Sequence, residues 1–573
     1  MPRARRSATA IAITVCLALT LAACSGRRET GSSGTTSRKG VKGGTLRIVN
    51  VADVDSLDPA AAYAASSWSL GRLYLRTLYS WDSTRPGDDI ATPVPDLADG
   101  PPIVSGDRLT YTFRLRHGVR YAPPVNRQVA AADFVYALER QLRGRQPAHR
   151  YAWMIKGTRE FAARKARRIS GIVAVDTQTL RITLVKPAPD LLSIVALPFF
   201  APVPGEYASR SSVGAGYSKR VVGSGPYTLG AYAPGKAITF VRNKNWNPTT
   251  DPLRKAWVDK VEVRIGENPN GVQAAIEQHD ADLNGDAIPP PNDDLQRLAT
   301  DPGLQSQLGI KSTGCFRYLS LQTDAGPTAK LEVRQALNLA VDKQALLDAI
   351  GGRFAGTVAS TILPPSVLGH IKYDLFETSG YKGDVDRARA LLARAGYPHG
   401  FTLNYVGEST GQGPAVTQAL RQSLARVGIK LRVKAYRGTE RYRRSLRLPA
   451  KKNEHHMGFA RWCPDWPGDS ARSVLAALLD GRVINPTANN NYGNYDNPKV
   501  NQLIDQALME PSSERRTALW GRADRMAMED AVWVPLVWDR QTFFWSYRVQ
   551  NWRYSPWVAN PDYANLWLDP YTP

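Results

Sequence analysis

Phe401-Thr402-Leu403-Asn404-Tyr405-Val406 has the alternation of a strand, Ala415 to Val427 the spacing of a helix, and Ile429-Lys430-Leu431-Arg432-Val433-Lys434-Ala435-Tyr436 the alternation of a second strand. Two strands joined through a helix run parallel, because a parallel pair needs a crossover of a dozen or more residues. The stretch is a βαβ unit. It places the chain in the α/β class.

The same texture extends outward from this unit. Upstream, Leu391 to Ala395 ends a helix that Gly396 stops, and Val333, Ala336, Leu337, Ala340, Val341 and Leu347 trace one amphipathic helix. Phe316 to Gln322 is a strand. Downstream come a helix, Val500 to Met509, and two strand-like runs, Val532 to Trp538 and Thr542 to Tyr547. Ahead of residue 315 the texture is strand-and-turn. Gly43 to Val49 and Leu109 to Leu115 alternate, the latter turning at His117-Gly118, and Ala131 to Leu142 is a helix with Phe134, Val135, Leu138 and Leu142 on one stripe. Strands are expected at 172–175 and 179–185, and again at 227–233 and 237–242, with a proline-broken crossing between the two pairs. The 573 residues exceed one hydrophobic core, so two or three domains are expected.

With 43% apolar and 9% aromatic residues the chain can bury large cores and is not a disordered one. Its first residues differ from the rest. Arg3, Arg5 and Arg6 precede an apolar segment, Ala8 to Ala23, which ends in Leu21-Ala22-Ala23-Cys24. This reads as a signal peptide and resembles a bacterial lipobox, whose cysteine takes diacylglyceryl chains that tether the protein to the outer face of a membrane. Losing residues 1–23 removes three arginines and no acid, which lowers the formal net charge from +23 to +20. On an exported, tethered chain such charge suits anionic head groups or wall polymers, and no nucleic-acid module is present. Residues 25–40, rich in Ser, Gly and Thr, read as a flexible leash. Cys16 leaves with the signal and Cys24 takes the lipid. Cys315 and Cys463 remain, and two thiols outside the cytoplasm most often form one disulfide.

Arg461-Trp462-Cys463-Pro464-Asp465-Trp466-Pro467-Gly468-Asp469 packs two Trp, two Pro, a Cys and two Asp into nine residues. Prolines exclude a continuous helix, so this is a loop or a bulged strand end. Its indoles suit one wall of a ligand cleft. Asp465, set between indoles and prolines, needs a compensating cation, either Arg461 or the ammonium of a ligand. Asp469 is expected to cap the helix that follows.

Catalytic motifs are weak by comparison. Gly407-Glu408-Ser409-Thr410-Gly411 matches a nucleophile elbow, with His455 or His456 as a possible base, but Ser409 sits inside a long glycine-rich connection instead of a sharp turn. Adjacent His455 and His456 would point in different directions, and a surface location fits them better than a metal site. There is no zinc motif, P-loop or dinucleotide fingerprint, so neither metal nor cofactor is expected.

Several blocks occur in a telling order: Gly43-Gly44-Thr45-Leu46-Arg47 with Leu57-Asp58-Pro59; Pro95-Asp96-Leu97-Ala98; Leu109 to Val119; Ala132 to Arg140; Gly223-Ser224-Gly225-Pro226-Tyr227; Val333 to Asp342; and Leu391 to Tyr397. From residue 43 to about 548 the chain resembles the solute-binding proteins of peptide and nickel ABC importers, the extracytoplasmic family 5. The resemblance implies an α/β, two-lobed periplasmic-binding-protein-like fold of type II, cluster C, with an extra domain inserted in lobe I. After the signal peptide (1–23) and tether (24–40), lobe I would comprise 41–75, 201–314 and 542–573, the inserted domain 76–200, and lobe III 315–541.

It also implies a monomeric, non-enzymatic receptor, lipid-anchored on the extracytoplasmic face of a bacterial membrane, that delivers peptides to an ABC permease. Trp462-Cys463-Pro464-Asp465 matches the segment that places an Asp on the peptide's free amino terminus in oligopeptide-binding members. Trp462, Cys463 and Trp466 join Asp465 in the expected ligand-binding set, and Cys315-Phe316-Arg317-Tyr318 matches the other half of a family disulfide to Cys463. Trp466-Pro467-Gly468 is bulkier and stiffer than the family pattern, and no segment matches the carboxylate-binding residues. A nickel chelate or oligosaccharide receptor of the same fold is the alternative, and a tethered serine hydrolase using Ser409 a distant one.

Overall fold

The computed structural model describes residues 40–144, 149–286 and 288–570. The signal peptide, Cys24 and the tether lie outside the described residues, apart from Gly40.

Thr45–Asn50 (β1) opens the body, and helix Ala65–Tyr74 (α1) follows. A four-stranded antiparallel sheet comes next, built from Ile103–Val104 (β2), Thr110–Arg114 (β3), Ile172–Ala174 (β4) and Thr179–Thr183 (β5) in the order β2-β3-β5-β4. Helix Ala131–Arg143 (α2) packs on it with Phe134, Val135, Leu138 and Leu142 all buried. The chain then returns to β1. Tyr227–Ala233 (β6), Ala237–Arg242 (β7), Lys260–Ile265 (β8) and Leu283–Asn284 (β9) complete a five-stranded sheet, β9-β1-β8-β7-β6, in which β1 is parallel to both its neighbours.

The second lobe is built on a six-stranded sheet. Its strands are Leu308–Leu321 (β10), Gly356–Val358 (β11), Thr402–Glu408 (β12), Lys430–Tyr436 (β13), Met457–Trp462 (β14) and Trp533–Phe544 (β15), in the order β11-β15-β10-β14-β12-β13. β12 and β13 pair in parallel through helix Gly413–Ala425, as the βαβ reading requires. Two differences from the sequence reading have plain causes. The apolar stripe from Val333 to Leu347 spans two helices, Leu331–Ala340 and Lys343–Ile350, because the Asp342 side chain accepts from Ala345 N and starts a new helix. The strand-like runs 532–538 and 542–547 are one strand, since Arg540 and Gln541 stay in the ladder with β10 and Asp539 pairs with β11.

β10 and β15 cross between the lobes. Phe543 and Trp545 lie in the core around β1, whereas Phe316, Tyr318 and Trp533 lie in the core of the six-stranded sheet. The pairing of β10 with β15 shifts register between Ser312 and Phe316, and Gly314 there has φ +73°. A bulge thus sits where the two strands pass from one lobe to the other.

Ion pairs of three buried acids explain three of the sequence blocks. Asp58 takes both guanidinium nitrogens of Arg140, at 2.8 and 2.7 Å, and both residues are buried. Asp96 binds Arg76 at 2.7 Å and Arg254 at 2.9 Å. Asp133, at the start of α2, accepts from Ala130 N and from Arg127.

One buried acid carries a pH prediction. Asp524 accepts from Leu363 N at 2.8 Å and Tyr373 Oη at 2.6 Å, yet burial pushes its carboxyl up to about 6. A folded pKa above the unfolded one gives stability that is complete below about pH 4 and lost as pH rises through 6. Asp524→Asn should remove this loss and gain about 2–3 kcal/mol on the wild type between pH 4 and pH 7. Urea unfolding at both pH values measures it; parallel behaviour of the two proteins would exclude Asp524 as the source.

Candidate functional site

The loop that follows β14 is held at both ends of its first turn. Cys463 is bonded to Cys315 with S–S 2.07 Å, which joins the loop to the bulge of β10. Trp462 Nε1 donates to Ser473 O at 2.9 Å, and Asp465 N donates to Ser473 Oγ at 3.2 Å. These bonds aim the Asp465 carboxylate at the opposite lobe. There it accepts from Tyr63 Oη at 2.6 Å, just ahead of α1, and from Tyr151 Oη in the inserted part.

A cavity of about 580 Å³ opens at this point. Tyr63, Trp68 and Trp557 form its wall on one lobe; Arg441, Tyr442, Arg447, Arg461, Trp462 and Asp465 form the other; Thr313 and Cys315 close it at the crossing strands. The volume is in the range of small-molecule sites. Its mixture of indoles and charges suits a ligand with an apolar body and ionised ends.

Trp462, Cys463 and Asp465 all line the cavity. Trp466 does not. It is 1% exposed, donates from Nε1 to Asp469 O, and stands edge-on to Tyr151 with ring centroids 5.3 Å apart. Its indole therefore belongs to the core of the inserted sheet, although its backbone belongs to the other lobe. A residue that composition assigns to the cleft wall is instead a plug between lobes.

Asp469 is not a cap. The helical turn Arg472–Ala476 has Ala471 at its N-cap without a side-chain bond, and Asp469 pairs with Arg516 at 2.6 Å. Burial raises the Asp469 carboxyl, and Arg516 opposes that rise. Nor is Arg461 drawn to Asp465: its Nε binds Asp539 at 2.6 Å, and Asp539 also takes Arg317 at 2.9 Å. A further ion pair, Arg472 with Asp190, ties the end of the loop to the inserted part.

Among the described residues the hydrolase motif has no histidine bonded to its serine. Ser409 follows β12 and donates from its backbone N to Tyr436 O. His455 is buried, not on the surface; its ring meets Gln322 Nε2 at 2.9 Å and Ser445 Oγ at 3.2 Å, and burial lowers it to about 4. His456 Nδ1 accepts from Asn404 N. Neither ring reaches Ser409. Among the described residues no group of three His, Cys, Asp or Glu could hold a metal ion, and no helix is long and apolar enough to cross a membrane.

Sequence reasoning missed Tyr63, Tyr151, Trp68, Trp557 and the arginines 441 and 447. The arginines had a signal, since Arg437 to Arg447 is a dense basic run directly after β13. The aromatic residues had none, because they come from distant parts of the chain.

The family model for bacterial extracellular solute-binding proteins, family 5 middle, matches residues 92–479. Heme-binding protein A of Haemophilus influenzae is 29% identical over 450 residues, covering 76% of this chain and 77% of that protein. Di/tripeptide-binding protein 2 of Pseudomonas aeruginosa is 26% identical, covering 92% and 95%. The solved structure of clavulanic acid biosynthesis oligopeptide binding protein 2 superposes with a TM-score of 0.86 at 32% identity, covering 92% of this chain and 96% of that one. Each of the three is a binding protein by name.

Proposed function

Since the chain belongs to the bacterial extracellular solute-binding proteins of family 5, we propose that it captures short peptides between its lobes and delivers them to an ABC import permease. It is a binding protein and not an enzyme. The observation that carries the peptide reading is Asp465: a carboxylate at the cavity wall, held in place by Ser473 and facing Tyr63 and Tyr151 across the lobe boundary. A peptide ammonium entering beside it gains a charge-assisted bond. The two tyrosine oxygens, already oriented, can accept its remaining N–H groups. Trp68, Trp462 and Trp557 supply apolar surface for side chains.

In this reading lobe I is assembled from 41–75, 201–314 and 542–573, the inserted domain is 76–200, and lobe III is 315–541. The bulge at 312–316 is the hinge. Diacylglycerol on Cys24 holds the monomeric receptor at the extracytoplasmic face, so Cys24→Ala should appear in the medium instead of the membrane fraction.

Calorimetry with free-amine tripeptides and their N-acetylated forms tests the assignment. Asp465→Asn should weaken free-amine peptides by about 2–5 kcal/mol, the cost of removing one partner from a buried charge pair. Equal affinity for acetylated and free peptides would remove Asp465 from this role. The three indoles also favour a second reading, a stacking solute such as an oligosaccharide or a flat metal chelate; binding of those with no binding of peptides would establish it.

A further inference from the structure

A second cavity, of about 350 Å³, also lies between the inserted part and the second lobe, and it shares no described lining residue with the first. The partition is built on one residue pair and one serine. Tyr151 and Ser473 line the second cavity and Asp465 lines the first; the Asp465 carboxylate accepts from Tyr151 Oη, and Asp465 N donates to Ser473 Oγ. Ser473 Oγ in turn donates to Ser470 O at 2.8 Å, so the polar groups of the partition are already engaged. Beyond it the lining is mainly apolar. The inserted part supplies Trp153, Met154 and Val185; the second lobe supplies Ala477, just past the turn Arg472–Ala476, with Leu508 and Met509 at the end of helix Pro498–Met509. Val185 is 54% exposed and Met509 44%, so the fold leaves large apolar side chains of this lining uncovered. The volume is well above the roughly 150 Å³ that holds one benzene ring.

Four charged side chains line the same space: Arg159, Lys186, Arg472 and Asp505. Three of them are accounted for. Arg472 is matched by Asp190, which takes its Nε at 2.5 Å and an Nη at 3.0 Å. Asp505 binds Arg482 at 2.5 Å, and Arg482 also holds Asp480 at 2.8 Å. Lys186 makes no ion pair, but it stands close enough to help Arg482 lower the Asp505 carboxyl, so two cations balance two acids in that corner. Arg159 remains. Among the described residues it has no carboxylate partner; its guanidinium stands over the Trp153 ring, 5.4 Å from the centroid. The adjacent acid, Glu160, is outside the lining, and residues 145–150 contain no Asp or Glu. A cation–π contact holds the group at the edge of apolar surface and leaves its fork of donors for an anion.

We propose that this second cavity is a separate solute site for a small monoanion with a flat apolar body, its carboxylate on Arg159 and its rings against Trp153, Leu508 and Met509. The surplus is one positive charge, which sets one negative charge on the ligand. Asp190 and Asp505 are committed to arginines, so an amine gains nothing here. An uncharged molecule of the same shape gains only the apolar contact. The assignment does not depend on what the first cavity binds.

The experiment is calorimetry on the full chain with three molecules of one shape: naphthoate, naphthylmethanol and naphthylmethylamine. Naphthoate should bind about tenfold tighter than the alcohol, as expected for one added charge-assisted contact, and the amine weakest. Raising the salt should narrow the gap. Arg159→Gln should bring naphthoate to the level of the alcohol, and Arg159→Lys, which keeps charge without the fork, should keep part of the difference. Ala477→Trp, which fills the cavity, should weaken acid and alcohol alike. Arg461→Gln, a cation of the first cavity, should leave naphthoate unchanged. Absence of naphthoate binding overturns the proposal, as does equal affinity for the three molecules or a naphthoate preference that survives Arg159→Gln. Loss in Arg461→Gln with none in Arg159→Gln would place the anion in the first cavity and overturn it as well. None of these outcomes touches the peptide reading, which the tripeptide titrations test separately.

Discussion

Asp96→Ala is expected to cost about 3–5 kcal/mol of stability, the range for removing one member of a buried ion pair. Asp96 is fully buried between Arg76 and Arg254, and those two side chains are 0% and 2% exposed. Burial alone would raise its carboxyl, but Arg254 and Arg76 hold it down at about 2. Without it, two guanidiniums are left in the core of the first lobe with Asp251 as their remaining nearby acid. Asp107→Ala makes the control, since that acid sits at an exposed turn beside Ser105. Urea unfolding followed by tryptophan emission measures both. A loss below about 1 kcal/mol at Asp96 would mean that the arginines find water or another acid when the lobe relaxes.

Removing the disulfide is expected to have an effect of similar size. Cys315 and Cys463 are 148 residues apart, and closing a loop of that length restrains the unfolded chain by about 5 kcal/mol in the entropic account. The double variant Cys315→Ser, Cys463→Ser should therefore unfold at clearly lower urea, and the wild type in a strong reductant should match it. The same change frees the loop from the bulge of β10, so peptide affinity should fall with stability. An unchanged midpoint would show that the unfolded state retains enough structure to make the link redundant.

What could be read from the chain, and what could not, divides by distance along it. The βαβ unit, the α2 stripe and the β6–β7 pair are patterns within a few turns of chain, and they stand where their periods put them. The break at Asp342 was hidden because the apolar stripe continues through it, while the cap that ends it depends on one side-chain bond. The break expected at 539–541 does not exist because Asp539, polar and therefore out of pattern, is buried as the shared partner of two arginines. The site follows the same rule. Asp465 stood out because its neighbours in sequence made it costly to leave unpaired. Tyr63 and Tyr151 come from hundreds of residues away, and nothing in their own surroundings marks them. Trp466 shows the limit of composition: residues 465 and 466 are adjacent, yet one faces the cavity and the other a core.

That placement of Trp466 bears on time as well as on shape. The indole is rooted in one lobe and solvated by the apolar side chains of the other, so the lobes cannot part until it is drawn into water. Exposing a side chain of this kind costs about 2–3 kcal/mol, a factor of tens in rate. The ring lies in the same apolar cluster as Trp68 and Trp557 of the cavity wall, so the cost adds to whatever holds the solute there. Parting the lobes to release a solute thus carries the cost of Trp466 beside that of the solute's own contacts, and neighbouring residues of one nine-residue loop set the two.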